Sequence, residues 1–255
     1  MNFKKEFSNK IVLITGGTKG IGKGIAESFL KEKANVIVCG RNKPNSLPRV
    51  SGLKAEFIKC NVKDPDQIKK MFSTILKKKK SIDILVNNAG GGPPIEASNA
   101  PPKLTKAIID LNLLAPIYVS QATNKIMQKQ THGGSIINIS SVSVIRPSPG
   151  AATYGGAKAG LANLTESLAI EWAPKVRVNS ILSGLVETEE SIMHYGDKES
   201  INRISNTIPL GRMGKPSDIG NSCLFLSSSL AQYISGASLL VHGGGEKPSY
   251  HDAKE

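Results

Sequence analysis

The chain has 255 residues, 39% of them hydrophobic and 21% charged, with 33 basic against 20 acidic side chains for a net charge of +13. That length and balance suit a globular chain able to bury a sizeable core and exclude a disordered or fibrous one. No apolar run approaches the roughly 18–20 residues of a membrane span, so no membrane association is expected.

The N-terminus, MNFKKEFSNKIVLITGG, pairs a basic start with a four-residue apolar run, too short for a signal-peptide core. Cys39, Cys60 and Cys223 are odd in number and scattered, which fits a reducing compartment, and the chain is expected to be cytoplasmic. Neither the cysteines nor the four histidines show ligand spacing, so no metal is expected. The basic surplus is open to two readings: an anionic partner, or a lysine-rich solvated surface. Its residues are spread along the chain and not interleaved with aromatics, which speaks against nucleic acid.

Strand candidates follow one another as KIVLIT (10–15), NVIVC (35–39), AEFIKC (55–60), IDILVN (82–87), SIINIS (135–140), VRVNSI (176–181) and ASLLVH (237–242). Several are β-branched runs with little alternation, as expected of strands covered on both faces. Helix candidates lie between them at 21–33, 65–79, 102–129, 153–172 and 216–228; KPSD (215–218) puts Ser217 or Asp218 near the last helix start. The lysines at 77–80 close the second helix, where the dipole favours cations. The pattern predicts the α/β class: a single Rossmann-type, doubly wound parallel sheet of about seven strands flanked by helices on both faces. Residues 1–255 read as one domain, because no linker divides them. Polar or Gly/Pro-rich gaps at 90–103 and 183–215 are expected to wall a site at the strand carboxyl ends, with a polar tail at 245–255.

TGGTKGIG (15–22) directly follows the first strand and opens the first helix. Gly16, Gly20 and Gly22 permit a tight turn and close backbone approach, and the helix N-terminus offers N–H groups to a pyrophosphate. Thr18, Lys19 and Ile21 belong to the same expected cofactor cradle. The alternative is a tight turn with no ligand. An NAD site usually carries an acid at the end of the second strand. Here that strand ends VCGRNK (38–43), with Gly40 at the acid position and Arg41 after it. Arg41 and Lys19 suit a 2′-phosphate, so the expected cofactor is NADP(H); the alternative is a pair of surface cations.

ATYGGAKAG (152–160) holds Tyr154 and Lys158 four apart, on one face of a helix. An unperturbed phenol titrates near 10, and the spacing predicts that the neighbouring cation lowers that value. Gly155, Gly156 and Ala157 leave room beside the pair. NISSVS (138–143) ends a strand and brings hydroxyls to the same end of the sheet.

With the glycine loop, NNAG (87–90), LNLLAP (111–116), ISS (139–141) and YGGAK (154–158) in this order, the chain resembles the short-chain dehydrogenase/reductase family over nearly its whole length. The resemblance implies Tyr154 as proton donor to a substrate carbonyl. It implies Lys158 as tuner of the phenol and ligand of the nicotinamide ribose. Ser141 corresponds to the serine that polarises the carbonyl, and Asn112 to the asparagine that supports a water path to the lysine. It also implies cofactor contacts from Asn61 and Val62 on the adenine, Asn88, Ala89 and Gly90 near the adenosine, and Val186 and Thr188 near the nicotinamide. The chain departs from the family pattern with Asn at 61, Ser183-Gly184 for the usual Pro-Gly, and His242 for the usual Asp.

The activity so implied is NADPH-dependent reduction of a ketone or 3-oxoacyl group, with a sugar, steroid or other secondary-alcohol dehydrogenase as the alternative. A catalytically silent NADP- or nucleic-acid-binding protein is a further one. The substrate is a small carbonyl or alcohol. A carrier-bound acyl chain enters because Lys129 and Lys175 fall near positions where acyl-carrier reductases have arginines. A homotetramer is implied by resemblance alone.

Overall fold

Runs of β-branched residues become the interior of one parallel sheet in the computed structural model, which describes residues 3–246. In chain order its strands are β1 (Ile11–Thr15), β2 (Asn35–Gly40), β3 (Glu56–Lys59), β4 (Ile84–Asn87), β5 (Gly134–Ser141), β6 (Val176–Ser183) and β7 (Ser238–Val241). They lie in the order β3-β2-β1-β4-β5-β6-β7, all parallel. Every residue of β1 is buried, which requires cover on both faces.

Successive side chains of a strand point to opposite faces, and the core divides accordingly. Val12 and Ile14 join Val36, Val38, Ile137 and Ile181 in one cluster, covered by α1 (Gly20–Lys31) and, near the chain's end, a helix over Pro216–Ser227. Ile11 and Leu13 join Ile37, Leu85, Ile136 and Val178 in the other, covered by α2 (Pro65–Lys79) and by helices further along. Asp64 caps α2, its carboxylate accepting from the N–H groups of Asp66 and Gln67 at 3.0 and 3.2 Å.

The segment expected to be one helix over 102–129 is two, α3 (Pro102–Ile109) and α4 (Ala115–Met127), joined by a π-helical turn at Asp110–Leu114. Asn112 gives the physical reason: its Nδ2 donates to Ile108 O at 2.9 Å and to Gly91 O at 2.8 Å, holding the wider turn open. Next come α5 (Ala152–Glu171), α6 (Lys198–Thr207) and α7 (Pro216–Ser227). The 183–215 gap is thus not all loop: α6 lies in it, capped by Asp197, after a short helix at Ser191–Tyr195. A hairpin of Arg49–Val50 and Leu53–Lys54 follows β2 and was not evident from the strand pattern. Of the expected tail, residues 247–255 lie outside the described residues. Among the described residues no helix is long and apolar enough to cross a membrane.

The strand order reverses between β1 and β4. In open α/β sheets ligands bind at such a switch point, beyond the strand carboxyl ends. The residues that leave those ends are Gly16 after β1 and Asn88 after β4.

Candidate active site

The loop from β1 into α1 is drawn against the β4 exit by main-chain contacts. Gly16 N donates to Cys39 O at 2.9 Å. Asn88 Nδ2 donates to the carbonyls of Thr15 and Gly16, both at 3.1 Å, while Thr15 Oγ1 accepts from Asn88 N and Ala89 N, both at 3.0 Å. Gly16 and Gly20 have positive φ, and a Cβ on Gly22 would collide with Gly16 O and Asn88 Nδ2. Glycine at these places leaves a backbone-lined hollow at a helix N-terminus, which fits a diphosphate. Asn88 is first a tie between loop and sheet, a role its motif alone did not suggest.

The other predicted residues gather at the same end of the sheet. Arg41 follows β2, is exposed, and forms no ion pair among the described residues. Asn61 and Val62 follow β3. Asn61 N donates to Gln67 Oε1 at 2.9 Å, and Val62 is buried. Val186 and Thr188 follow β6; Thr188 N donates to Ser191 Oγ at 2.7 Å, and its Cγ2 lies 3.6 Å from where a Cβ on Gly20 would stand. Thr18 lies in the glycine loop and Ile21 in the first turn of α1, both partly buried.

Tyr154 and Lys158 rise from the first turns of α5 beside Ser141, the last residue of β5. Lys158 is 3% exposed, and its Nζ donates to Ile139 O at 2.7 Å and sits 5.7 Å from the Tyr154 ring centroid. The backbone C=O of Lys158 accepts from Ser140 Oγ at 3.2 Å, tying α5 to β5. Ser141 Oγ accepts from Ser143 N at 3.1 Å at the start of a tight turn over Val142–Val144. Asn112 is fully buried and its Oδ1 accepts from Gly91 N at 2.8 Å. Gly90 closes the group: a Cβ there would stand 2.8 Å from Asn112 Oδ1 and 3.2 Å from Lys158 Nζ. A Cβ on Gly156 would meet nothing within 4 Å, but on a helix that position turns away from Tyr154, so the open space there is not beside the phenol.

The four-residue spacing predicts a phenol made more acidic by Lys158; the structure gives the opposite direction. Burial raises the Tyr154 phenol above its ordinary value, a hydrogen bond with Ser141 lowers it in part, and Tyr195 raises it further. Burial also pushes the Lys158 ammonium down, from 10.5 to about 8. Desolvation, which penalises the charged form of each group, is the largest cause for both.

Five side chains around this site escaped the sequence reading. Glu189 Oε1 accepts from Gly20 N at 2.8 Å, and Glu190 Oε1 pairs with Lys19 Nζ at 2.5 Å, so two carboxylates face the positive end of α1. The contact with Gly20 N helps hold the Glu189 carboxyl below its ordinary value, against the burial that raises it. Arg146 pairs with Glu246 and lowers the phenol of Tyr195, against the burial that raises it. The acidic pair directly after Thr188 in VETEES was the one available signal for the first two.

A family model described as enoyl-(acyl carrier protein) reductase matches residues 16–246. The human protein called dehydrogenase/reductase SDR family member 4 is 34% identical over 251 residues, 96% of this chain and 90% of its own. The chain belongs to the short-chain dehydrogenase/reductase family. A 3alpha-hydroxysteroid dehydrogenase of Mediterraneibacter gnavus is 35% identical over 92% of this chain and 96% of its own. The solved aldohexose dehydrogenase of Thermoplasma acidophilum superposes with a TM-score of 0.87 at 32% identity, over 93% of this chain and 94% of that one. As a short-chain dehydrogenase/reductase the protein is an oxidoreductase with a nicotinamide dinucleotide cofactor, in a family whose members act on small alcohols and carbonyls.

Proposed function

We propose that this short-chain dehydrogenase/reductase reduces a ketone with NADPH, and that Tyr154 delivers the proton. The observation that carries the reading is the convergence of Tyr154, Ser141 and Lys158 at the carboxyl end of β5, with Lys158 Nζ against Gly90 and the glycine loop across the crevice. The bound dinucleotide supplies the hydride; the side chains supply position and the proton.

A phenol raised by burial stays protonated through neutral pH, which is the form a proton donor needs. Ser141, bonded to Tyr154, holds the carbonyl oxygen toward that phenol. Lys158, with one N–H on Ile139 O, has further N–H groups for the ribose hydroxyls and for restoring the phenol's proton through the Asn112 side. Asn112 also fixes the Gly90–Gly91 turn against which the cofactor rests. Gly16, Thr18, Lys19, Gly20, Ile21 and Gly22 cradle the diphosphate, Asn61 and Val62 the adenine, Asn88, Ala89 and Gly90 the adenosine side, and Val186 and Thr188 the nicotinamide.

The choice of NADP(H) rests on Arg41, an exposed guanidinium free of ion pairs among the described residues, next to Gly40 where an NAD site carries an acid. Lys175 argues against a carrier-bound substrate: its Nζ donates to Gln128 O at 2.8 Å and Gln130 O at 3.3 Å, at the end of α4. A small-molecule substrate follows, and the steroid and aldohexose dehydrogenases among the relatives support secondary-alcohol oxidation as the second reading. Exposed Ile170, Tyr233 and Leu240, at 81%, 104% and 38%, supply apolar surface for assembly into a homotetramer.

Initial rates with NADPH and NADH across acyl-thioester, sugar, cyclic and open-chain ketones test the proposal. It predicts turnover of some ketone with NADPH at least about tenfold better than with NADH. Equal use of both cofactors would remove the NADP(H) assignment, and NADPH binding without any turnover would remove the reductase.

A further inference from the structure

Beside the proposed hydroxyl pair stands a guanidinium that the proton transfer does not use. Arg146 comes five residues after Ser141, its backbone N donating to Val142 O at 3.1 Å, so it is carried on the same turn as the serine. One terminal nitrogen donates to Glu246 Oε1 at 2.6 Å. Glu246 arrives from the segment after β7, one hundred residues further along the chain. Arg146 Nε is enclosed by the protein and has no partner among the described residues, whereas the side chain as a whole is 39% exposed, so its terminal nitrogens are the part a ligand can reach. A guanidinium that gives one N–H to a carboxylate keeps further terminal N–H groups for a ligand.

The surroundings define that entrance. Ser141 Oγ and Ser148 Oγ both donate to Ser143 Oγ, at 3.1 and 2.9 Å, so the turn that carries Arg146 closes on Ser141; Arg146 also lowers the phenol of Tyr195, against the burial that raises it. Ile145, Ile192 and Leu210, on the 142–151 and 185–210 segments, are 57%, 70% and 70% exposed. An exposed apolar residue thus adjoins the guanidinium, and two more stand on the segment that carries Tyr195.

We infer that Arg146 is a specificity residue that binds a carboxylate on the carbonyl substrate, so that the substrates are oxo acids with an apolar body. The inference rests on the reductase reading and names the substrate class for that same site. A guanidinium has five N–H groups in a planar fork, and Glu246 uses only one of its terminal nitrogens. The remaining N–H groups of its two terminal nitrogens match the two oxygens of a second carboxylate end-on. Glu246 also sets the charge: with one anion already on Arg146, a monoanionic carboxylate fits better than a phosphate dianion. Lysine would lack the fork, and a neutral side chain the charge.

The test compares oxo acids of increasing chain length with their methyl esters and with a phosphorylated ketone, using NADPH and the full chain. At the best length the acid should exceed its ester in kcat/KM by about tenfold or more, with the phosphorylated ketone below the acid. In Arg146→Gln the acid-to-ester ratio should collapse toward one through KM, and Arg146→Lys should restore part of it. Glu246→Gln, which relieves Arg146 of its resident anion, should lower KM for the acids. Equal rates for acid and ester in the wild type, or an unchanged ratio in Arg146→Gln, would overturn the inference.

A parallel thermal-shift series with saturated, unreactive carboxylates on the NADPH-loaded protein separates this inference from the reading beneath it. Stabilisation of wild type but not of Arg146→Gln, without turnover of any ketone, keeps the carboxylate site and removes the reductase. Turnover of neutral ketones with no response to carboxylates does the reverse.

Discussion

The two walls of the crevice are held in different ways. On the β1–β4 side the contacts are made by main chain or brace it: Gly16 N to Cys39 O, the Asn88 amide to two carbonyls, and two N–H groups on Thr15 Oγ1. On the side formed by 142–151, 185–210 and the residues after β7, a main-chain bond from Leu210 N to Gly243 O at 3.1 Å is joined by a side-chain pair from far apart in the chain, Arg146 with Glu246. A backbone-built wall suits a ligand part that never changes, the diphosphate and ribose. A wall of side chains can be re-cut for a different substrate without disturbing the sheet. Lys158 stands where the two meet, bonded to β5 and packed against Gly90.

That junction is where the comparison breaks most easily. Lys158→Met should lower turnover by about 100-fold or more, a loss typical of removing a group that supports proton transfer. The same change should make the protein without added nucleotide more stable at pH 7. The folded ammonium titrates at about 8 against an ordinary 10.5, so below about 8 both states are protonated and the full burial penalty stands. Between those values the unfolded chain binds more protons than the folded one, and wild-type stability rises with pH. The gain in Lys158→Met is up to about 3 kcal/mol at pH 7 and should shrink to nothing by about pH 10.5, as read by chemical denaturation.

Arg41→Ala tests the cofactor wall at its rim. NADPH affinity should fall by about 10- to 100-fold while NADH changes little, measured by fluorescence titration; equal losses would mean that Arg41 meets no 2′-phosphate. A smaller effect sharpens the boundary between the walls. Glu189 and Glu190 reach from the loop after β6 to Gly20 N and Lys19, where a diphosphate would compete with them. The double change Glu189→Gln, Glu190→Gln should tighten NADPH binding by a few-fold only, because pairs this exposed contribute about 0–1 kcal/mol. Adenosine 2′,5′-bisphosphate, which lacks the diphosphate bridge, should bind both proteins alike.

The same division governs what could be read in the sequence. β-Branched runs, the glycine spacing after β1 and the hydroxyls closing β5 are local signals, and the sheet and its switch point follow from them. The π turn at Asn112 is not local: it depends on the amide meeting Gly91, twenty-one residues earlier. The amphipathic α6 lay hidden in a polar stretch because its buried face is little more than Ile201. Nothing in the spacing of Arg146 and Glu246 announces their pairing. The Tyr154–Lys158 spacing revealed neighbours but not how far each is desolvated, and desolvation is the largest cause of the phenol's upward shift.

The most direct test of the account is Tyr154→Phe, assayed side by side for NADPH binding and for ketone reduction. Only the hydroxyl is removed, so NADPH affinity should stay within about twofold of wild type while kcat falls by about 100-fold or more. Near-normal turnover in the variant, with NADPH bound, would contradict the claim that the buried phenol delivers the proton.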